Sequence, residues 1–419
     1  MDQDYIGLEA ARRLVAEKTP LMPARDVPLA QAVGMVAAAE LAAKVWSPSV
    51  TASTKDGFAV RGRDLEGAAP DKPVTLALVG SVAAGEKARQ EVGPGQAVRI
   101  TTGAPLPPGA DAVLASEFAR RQGQKVLCLA PAAPGRNVMP RGSDVRPGQV
   151  LARPGQVLTP AGVGLLAAGG WDQVPVHPRP RVGLLATGRE VVAPGQSLPP
   201  GAVYASNLVA LAAWLELQRM PWRSRVVDDD AGQIAGAARE LLQEYDALLT
   251  SGGAWTSRRD LVVGVMQELG MEMFFRRVRM GPGKGVAFGR VGQKLIFCLP
   301  GGPPSNEMAF LQLALPGLMR MAGHQDPGLP RIPARLATDL EGQEDWTQLW
   351  HGRLEPGEGD LPIFRPYAYS GRLGAMARSQ GIVCLPEGTA RLPAGSRVRV
   401  QLLGAATRGD CLAWDFSRA

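Results

Sequence analysis

Three apolar runs in this chain end in glycine-containing turns: VGLLATG at 182–188, DALLTSGG at 246–253 and LIFCLPGG at 295–302. Each reads as a buried strand whose carboxyl end opens into a turn before a helix. In an open α/β sheet such turns gather along one edge, where backbone N–H groups and helix N-termini hold anions. Thr187-Gly188, Ser251-Gly252-Gly253 and Pro300-Gly301-Gly302 are therefore expected to line one pocket. A single glycine turn would mean only a tight strand-to-helix reversal; three of them describe a site.

Other chemistry is sparsely represented. Cys128, Cys298, Cys384 and Cys411 are far apart and form no C-x-x-C pair, so neither a zinc site nor a disulfide framework is signalled. His177, His324 and His351 are equally scattered, which leaves acid–base or metal chemistry to carboxylates. The formal charge of +7 favours anionic partners, but Lys and Arg are interspersed with Asp and Glu. With only 5% aromatic residues and no basic–aromatic stacking pattern, small phosphorylated or oxyanionic ligands are expected and nucleic acid is not. The opening MDQDYIGLEAARRL has no apolar signal segment, and no apolar stretch is long enough to span a bilayer, so a cytoplasmic protein without membrane contact is expected.

The 419 residues allow two to four domains, by a rule of about 100–200 residues each. Leu8, Ala11, Leu14 and Val15 recur at helical spacing within 7–18, and Thr19-Pro20 stops that helix. From 45 to 140 short alternating strands, at 74–80, 96–100, 111–115 and 125–130, form an all-β module. A helix returns at 159–168 with Thr159 as cap and Pro160 in its first turn, and is expected to pack on the N-terminal helix. The β module is then an insertion into a helical and linker domain made of 1–44 and 141–175. Residues 176–326 alternate strand and helix, with helices at 207–218 (capped by Ser206), 231–244 and 259–269, and read as a three-layer α/β domain. Segments 274–278 and 286–290 read as a hairpin around GPGKG. Residues 327–419 read as a small C-terminal β domain, giving a multi-domain α/β plus β architecture.

Six blocks occur in order: KDGFAV at 55–60, TTGAPLPPGADAV at 101–113, RGSDV at 141–145, PRVGLLATGRE at 180–190, TSGGAWTSRRD at 250–260 and LPGGPPS at 299–305. Together they resemble the molybdopterin molybdenumtransferase family, the MoeA and gephyrin E-domain proteins of molybdenum cofactor synthesis, over essentially the whole chain. The resemblance implies that the α/β domain binds molybdopterin. It implies a homodimer that takes adenylylated molybdopterin, releases AMP and inserts molybdate with the help of Mg²⁺. Molybdopterin adenylyltransferase and molybdoenzyme apoproteins are the partners it implies.

Carried over block by block, the resemblance assigns Asp56, Asp144, Glu190 and Asp260 to catalysis and to the metal, which as a hard cation takes oxygen ligands. For phosphate it points to the amides of Ser251, Gly252 and Gly253, the turns Thr187-Gly188 and Gly301-Gly302, and Thr102, with Lys284 and Arg141 as charges. Gly281-Pro-Gly-Lys284 is not a P-loop, since no Ser or Thr follows the lysine. The chain also departs from the family. Lys55 replaces a methionine, Ala254-Trp255 interrupts a run of small residues, and Gly281 and Gly285 replace a lysine and a proline. Anion-holding groups are lost while the four acids remain. A carrier that holds molybdopterin without turnover, and an enzyme acting with tungstate or on another nucleotide-linked pterin, therefore stay open beside the transferase. A dinucleotide-dependent oxidoreductase lacks its G-x-G-x-x-G fingerprint.

Overall fold

A computed structural model describes residues 5–252, 261–357, 361–368 and 373–404. The chain forms two compact units, one built from the residues up to Ala24 together with those from His177 onward, the other from Arg25–Val176.

The larger unit is organised by a six-stranded sheet in the order Trp222–Val227, Val182–Thr187, Ala247–Ser251, Lys294–Leu299, Ala287–Val291, Glu272–Phe275. The first four strands run parallel and the last two antiparallel. Continuous apolar runs suit such strands because both faces are covered. On one face Leu184, Leu249 and Phe297 meet Leu208, Leu211 and Leu215 of helix Ser206–Leu217 and the helical stretch that begins at Pro303. On the other, Leu185, Leu248 and Ile296 meet Ile234, Ala238 and Leu241 of helix Ala231–Glu244 and Val262, Val265 and Met266 of helix Leu261–Glu268. Asp230 caps helix Ala231–Glu244 by accepting from the Gln233 N–H at 2.9 Å. At the other end of that helix the Lys294 ammonium donates to the carbonyls of Leu242, Gln243 and Tyr245, a cation on the negative end of the dipole.

Register sets up the functional edge. Ala186 pairs with Ser251 and Ser251 with Leu299, so three parallel strands finish side by side.

Several expectations are corrected here. The first helix, Leu8–Lys18, buries Leu8, Ala11 and Val15 in the core of the α/β sheet rather than in a domain with 141–175. The expected hairpin is only half present: Glu272–Phe275 pairs with Ala287–Val291, but Val278–Gly281 leaves the sheet and pairs with Ile6–Gly7 and Thr347–Glu355. Apolar periodicity in FFRRVRMG cannot tell one strand from two when the intervening arginines turn the chain. Ser206 is the first residue of its helix and provides no cap, because the cap position falls on Ala205, which has no side-chain acceptor.

From Arg331 the chain forms strands Arg331–Leu336, Thr347–Glu355, Ile363–Pro366, Gly381–Leu385 and Arg397–Leu402. Their pairings close on themselves into a small barrel around Ala334, Leu336, Phe364, Val383 and Val400.

The Arg25–Val176 unit holds a second six-stranded sheet, with Leu76, Leu114 and Val126 on one face and Val82, Val98 and Ile100 on the other. A smaller cluster of Val27, Leu41, Leu158, Leu166 and Val174 joins strands Arg25–Pro28 and Gln173–His177 to helix Pro160–Ala168. Thr159 caps that helix through Gly162 N–H at 3.0 Å, as its sequence demands.

Phe288 is fully buried and stacks on Phe297 with ring centroids 4.6 Å apart. Phe288→Ala is expected to cost about 3–5 kcal/mol in urea melts, whereas Phe118→Ala, at an exposed position, should stay within about 0.5 kcal/mol.

Candidate functional site

The three glycine turns meet beyond the aligned strand ends. A Cβ built on Gly252 would lie 2.6 Å from the Thr187 carbonyl oxygen, and one on Gly301 would lie 3.6 Å from the Gly252 Cα. Gly252 has φ +101°, in the region that favours glycine, so the close approach and the backbone conformation both exclude a side chain. Around these turns lies a cavity of about 310 Å³ lined by Thr187, Glu190, Ser251, Gly252, Gly301 and Pro303, with Tyr204 to Leu208 closing one side.

The turns are pinned by two asparagines. Asn207 donates from Nδ2 to Ser251 Oγ at 3.1 Å and to the Gly301 carbonyl at 2.7 Å. Asn306, itself buried, donates to the same Ser251 Oγ at 3.1 Å and to the Pro300 carbonyl at 2.8 Å. A hydroxyl that accepts twice has its own proton left to donate. Ser251 is thus held as a directed donor at the pocket wall. The hydroxyl of Thr187, also buried, has no hydrogen-bond partner among the described residues.

Not every expected anion group is available. The Gly252 N–H is spent on the Leu299 carbonyl at 3.3 Å, and Gly253 lies outside the described residues. What faces the pocket instead is the start of helix Ser206–Leu217, whose first N–H groups have no intrahelical acceptor and whose dipole is positive there. Gly302 is the residue from which the next helix starts, and Gly188 is buried beside the Glu190 carboxylate. Lys284 does not line this cavity; its ammonium sits 6.0 Å from the Trp346 ring centroid.

Among the expected acids, Glu190 lines the pocket and Asp260 lies outside the described residues. Asp56, Thr102, Arg141 and Asp144 belong to the Arg25–Val176 unit. There, Thr102 donates to Asp56 Oδ1 from its backbone N–H at 2.6 Å and from its hydroxyl at 2.9 Å. Those two bonds hold the Asp56 carboxyl below its ordinary value, with the Arg99 charge adding to them. Arg141 lies over the Trp46 ring at 4.7 Å, and the Asp144 N–H donates to the Ser47 carbonyl at 3.0 Å. Among the described residues no three His, Cys, Asp or Glu side chains converge as a metal site.

Asn207 and Asn306 were not expected from sequence as site residues. Asn306 had a signal: a polar residue opening the apolar helical run NEMAFLQLALPGLM must find partners when buried. Asn306→Ala would leave a buried carbonyl unsatisfied and is expected to cost about 1–3 kcal/mol in denaturant melts, while the more accessible Asn207→Ala should cost less than about 1 kcal/mol.

Residues 6–170 match the MoeA N-terminal region (domain I and II), residues 183–320 a probable molybdopterin binding domain, and residues 333–403 the MoeA C-terminal region (domain IV). Molybdopterin molybdenumtransferase 2 of Mycobacterium tuberculosis is 32% identical over 402 residues, covering 94% of this chain and 98% of that protein. Molybdopterin molybdenumtransferase of Synechococcus elongatus is 33% identical over 403 residues, again covering 94% and 98%. Among solved structures, a molybdopterin biosynthesis MoeA protein from Pyrococcus horikoshii superposes with a TM-score of 0.79 at 30% identity, covering 95% of this chain and 99% of that one. The ordered blocks, the pocket at the strand ends and these likenesses agree: the chain belongs to the molybdopterin molybdenumtransferase (MoeA) family.

Proposed function

We propose that this protein inserts molybdate into adenylylated molybdopterin with release of AMP, as an enzyme of molybdenum cofactor biosynthesis. The observation that carries the reading is the Ser251 hydroxyl, fixed by two asparagine amides at a pocket where three glycine turns and a helix N-terminus meet. A phosphoanhydride brings negative oxygens, and cleaving it builds charge on them. Directed hydroxyl and backbone donors stabilise that charge without having to reorganise. The absence of a Cβ at Gly301 lets a phosphate approach the main chain, and the Thr187 hydroxyl, which has no partner among the described residues, offers a further donor.

Mg²⁺ belongs to the proposal as well. Glu190 supplies a carboxylate at the pocket wall, and Asp260 is the other acid that the family blocks assign to this unit. A bound divalent cation would neutralise phosphate charge. The further elements of the proposal are a cytoplasmic homodimer whose cleft includes the partner's β module, and exchange with molybdopterin adenylyltransferase and molybdoenzyme apoproteins.

A second reading, a carrier that holds molybdopterin without turning it over, is favoured by one observation: among the described residues no Lys or Arg lines the pocket. Measuring AMP release from adenylylated molybdopterin with molybdate separates the two. Turnover supports the transferase, and tight binding without AMP supports the carrier. Tungstate in place of molybdate tests the choice of oxyanion.

Ser251→Ala is expected to lower AMP release by about 10²-fold or more, the scale for losing one preorganised oxyanion donor. Glu190→Ala and Asp260→Ala should abolish metal-dependent turnover while thermal melts stay close to wild type. Wild-type rates in both acid variants would remove these acids from catalysis. Removal of divalent cations with EDTA should stop turnover, and Mg²⁺ should restore it. Light scattering should give a dimer at micromolar concentration; an active monomer would overturn the shared cleft.

A further inference from the structure

A basic border of the larger unit shares no lining residue with the pocket at the strand ends. Strands Arg331–Leu336 and Arg397–Leu402 pair antiparallel, with Arg331 opposite Gln401, Pro333 opposite Arg399 and Arg335 opposite Arg397. Alternation sends Ala334, Val398 and Val400 into the barrel core and leaves Arg331, Arg397 and Arg399 on the outer face, exposed. That face borders the first helix, which contributes Arg12 and Arg13, and the helical stretch that carries Gln312 and Arg320.

Three neighbouring cavities of about 1020, 240 and 320 Å³ follow this border, and Arg331 lines all three. Six arginines line them, against two carboxylates, Glu9 and Asp326, and Glu9 is already paired with Arg12. Among the described residues Arg13, Arg331, Arg397 and Arg399 form no hydrogen bond or ion pair through their side chains, and Arg320 Nε is buried with no partner. The floor, by contrast, is ordered: buried Gln312 donates to Gln401 Oε1 at 2.7 Å and accepts from Arg12. The helix widens to a π-turn over Phe310–Ala314, the segment that carries Gln312.

Like charges gathered without counter-charges repel, and a concave surface of one sign concentrates its field. We propose that this border is a binding site for an oligophosphate, a small molecule carrying two or more linked phosphate groups. A guanidinium fork takes two oxygens of one phosphate. Arg397 and Arg399 are two residues apart on one strand, about 7 Å at the usual rise, with Arg331 on the adjacent strand. A single phosphate would engage one fork and leave the others facing each other, whereas a short phosphate chain engages several. The concavity favours a small ligand over a flat acidic protein surface.

The test is calorimetric titration of the full chain with sodium tripolyphosphate and with ATP, each against sulfate at matched ionic strength. Binding that survives matched sulfate is expected. Arg331→Gln and Arg399→Gln should each weaken it by about tenfold, the scale of one charge-assisted contact, with AMP release unchanged. Arg331→Lys, which keeps the charge and loses the fork, should recover only part of the affinity. Ser251→Ala should leave the oligophosphate affinity intact, which separates this site from the pocket at the strand ends. Tighter binding of ATP assigns a nucleotide, and equal binding assigns the inorganic chain. Displacement by sulfate, unchanged affinity in both glutamine variants, or tighter binding of a poly-glutamate peptide than of tripolyphosphate would each overturn the proposal.

Discussion

The pairing of Ala186 with Ser251 and of Ser251 with Leu299 is the constraint from which the site follows. Because those residues stand in register, the chain must turn at the same level three times. Three turns at one level crowd each other, and the contacts of Gly252 with Thr187 and of Gly301 with Gly252 are that crowding. A shift of one residue in any of these strands would exchange its two faces, moving Leu249 or Phe297 out of one apolar layer and Leu248 or Ile296 out of the other. The register is therefore enforced by the two cores, and the geometry of the pocket inherits their precision.

The asparagine pair adds a second level of control. Ser251 ends a strand, Asn207 lies in the first turn of one helix and Asn306 is the fourth residue of another, so one hydroxyl ties together three elements that packing has already brought close. Neutral amides do this without adding charge at the strand ends. Glu190 is left as the carboxylate of the described lining, beside the buried Gly188.

How much of this was legible in the sequence depended on how local each cause was. The helix at 231–244 and the Thr159-Pro160 start were readable because caps and periodicity act within one turn. The glycine turns and their common edge were readable because parallel strands present their ends together. What escaped were pairings set by distant chain. Val278–Gly281 looked like half of a hairpin, yet its partners are Ile6–Gly7 and Thr347–Glu355. Lys284, just beyond it, was expected at the phosphate and stands instead over Trp346. The first helix showed its apolar face plainly, but nothing in LEAARRLVAEK says which core that face will meet. The double use of Ser251 Oγ was likewise out of reach, since Asn207 and Asn306 lie 44 and 55 residues from it.

The placement of the first helix carries a consequence for synthesis. Ile6–Gly7 pairs with Val278 and Arg279, and Leu8, Ala11 and Val15 complete a core that includes Phe310 and Leu318. Leu8–Lys18 thus leaves the ribosome well before the segments that cover it. At about 5–20 residues per second, close to 300 residues separate its emergence from its partners by roughly fifteen seconds to a minute. Through that interval the apolar face of Leu8–Lys18 has no native cover, while the Arg25–Val176 unit has all of its own strands available. A segment made well ahead of its partners serves as the fastening they close on.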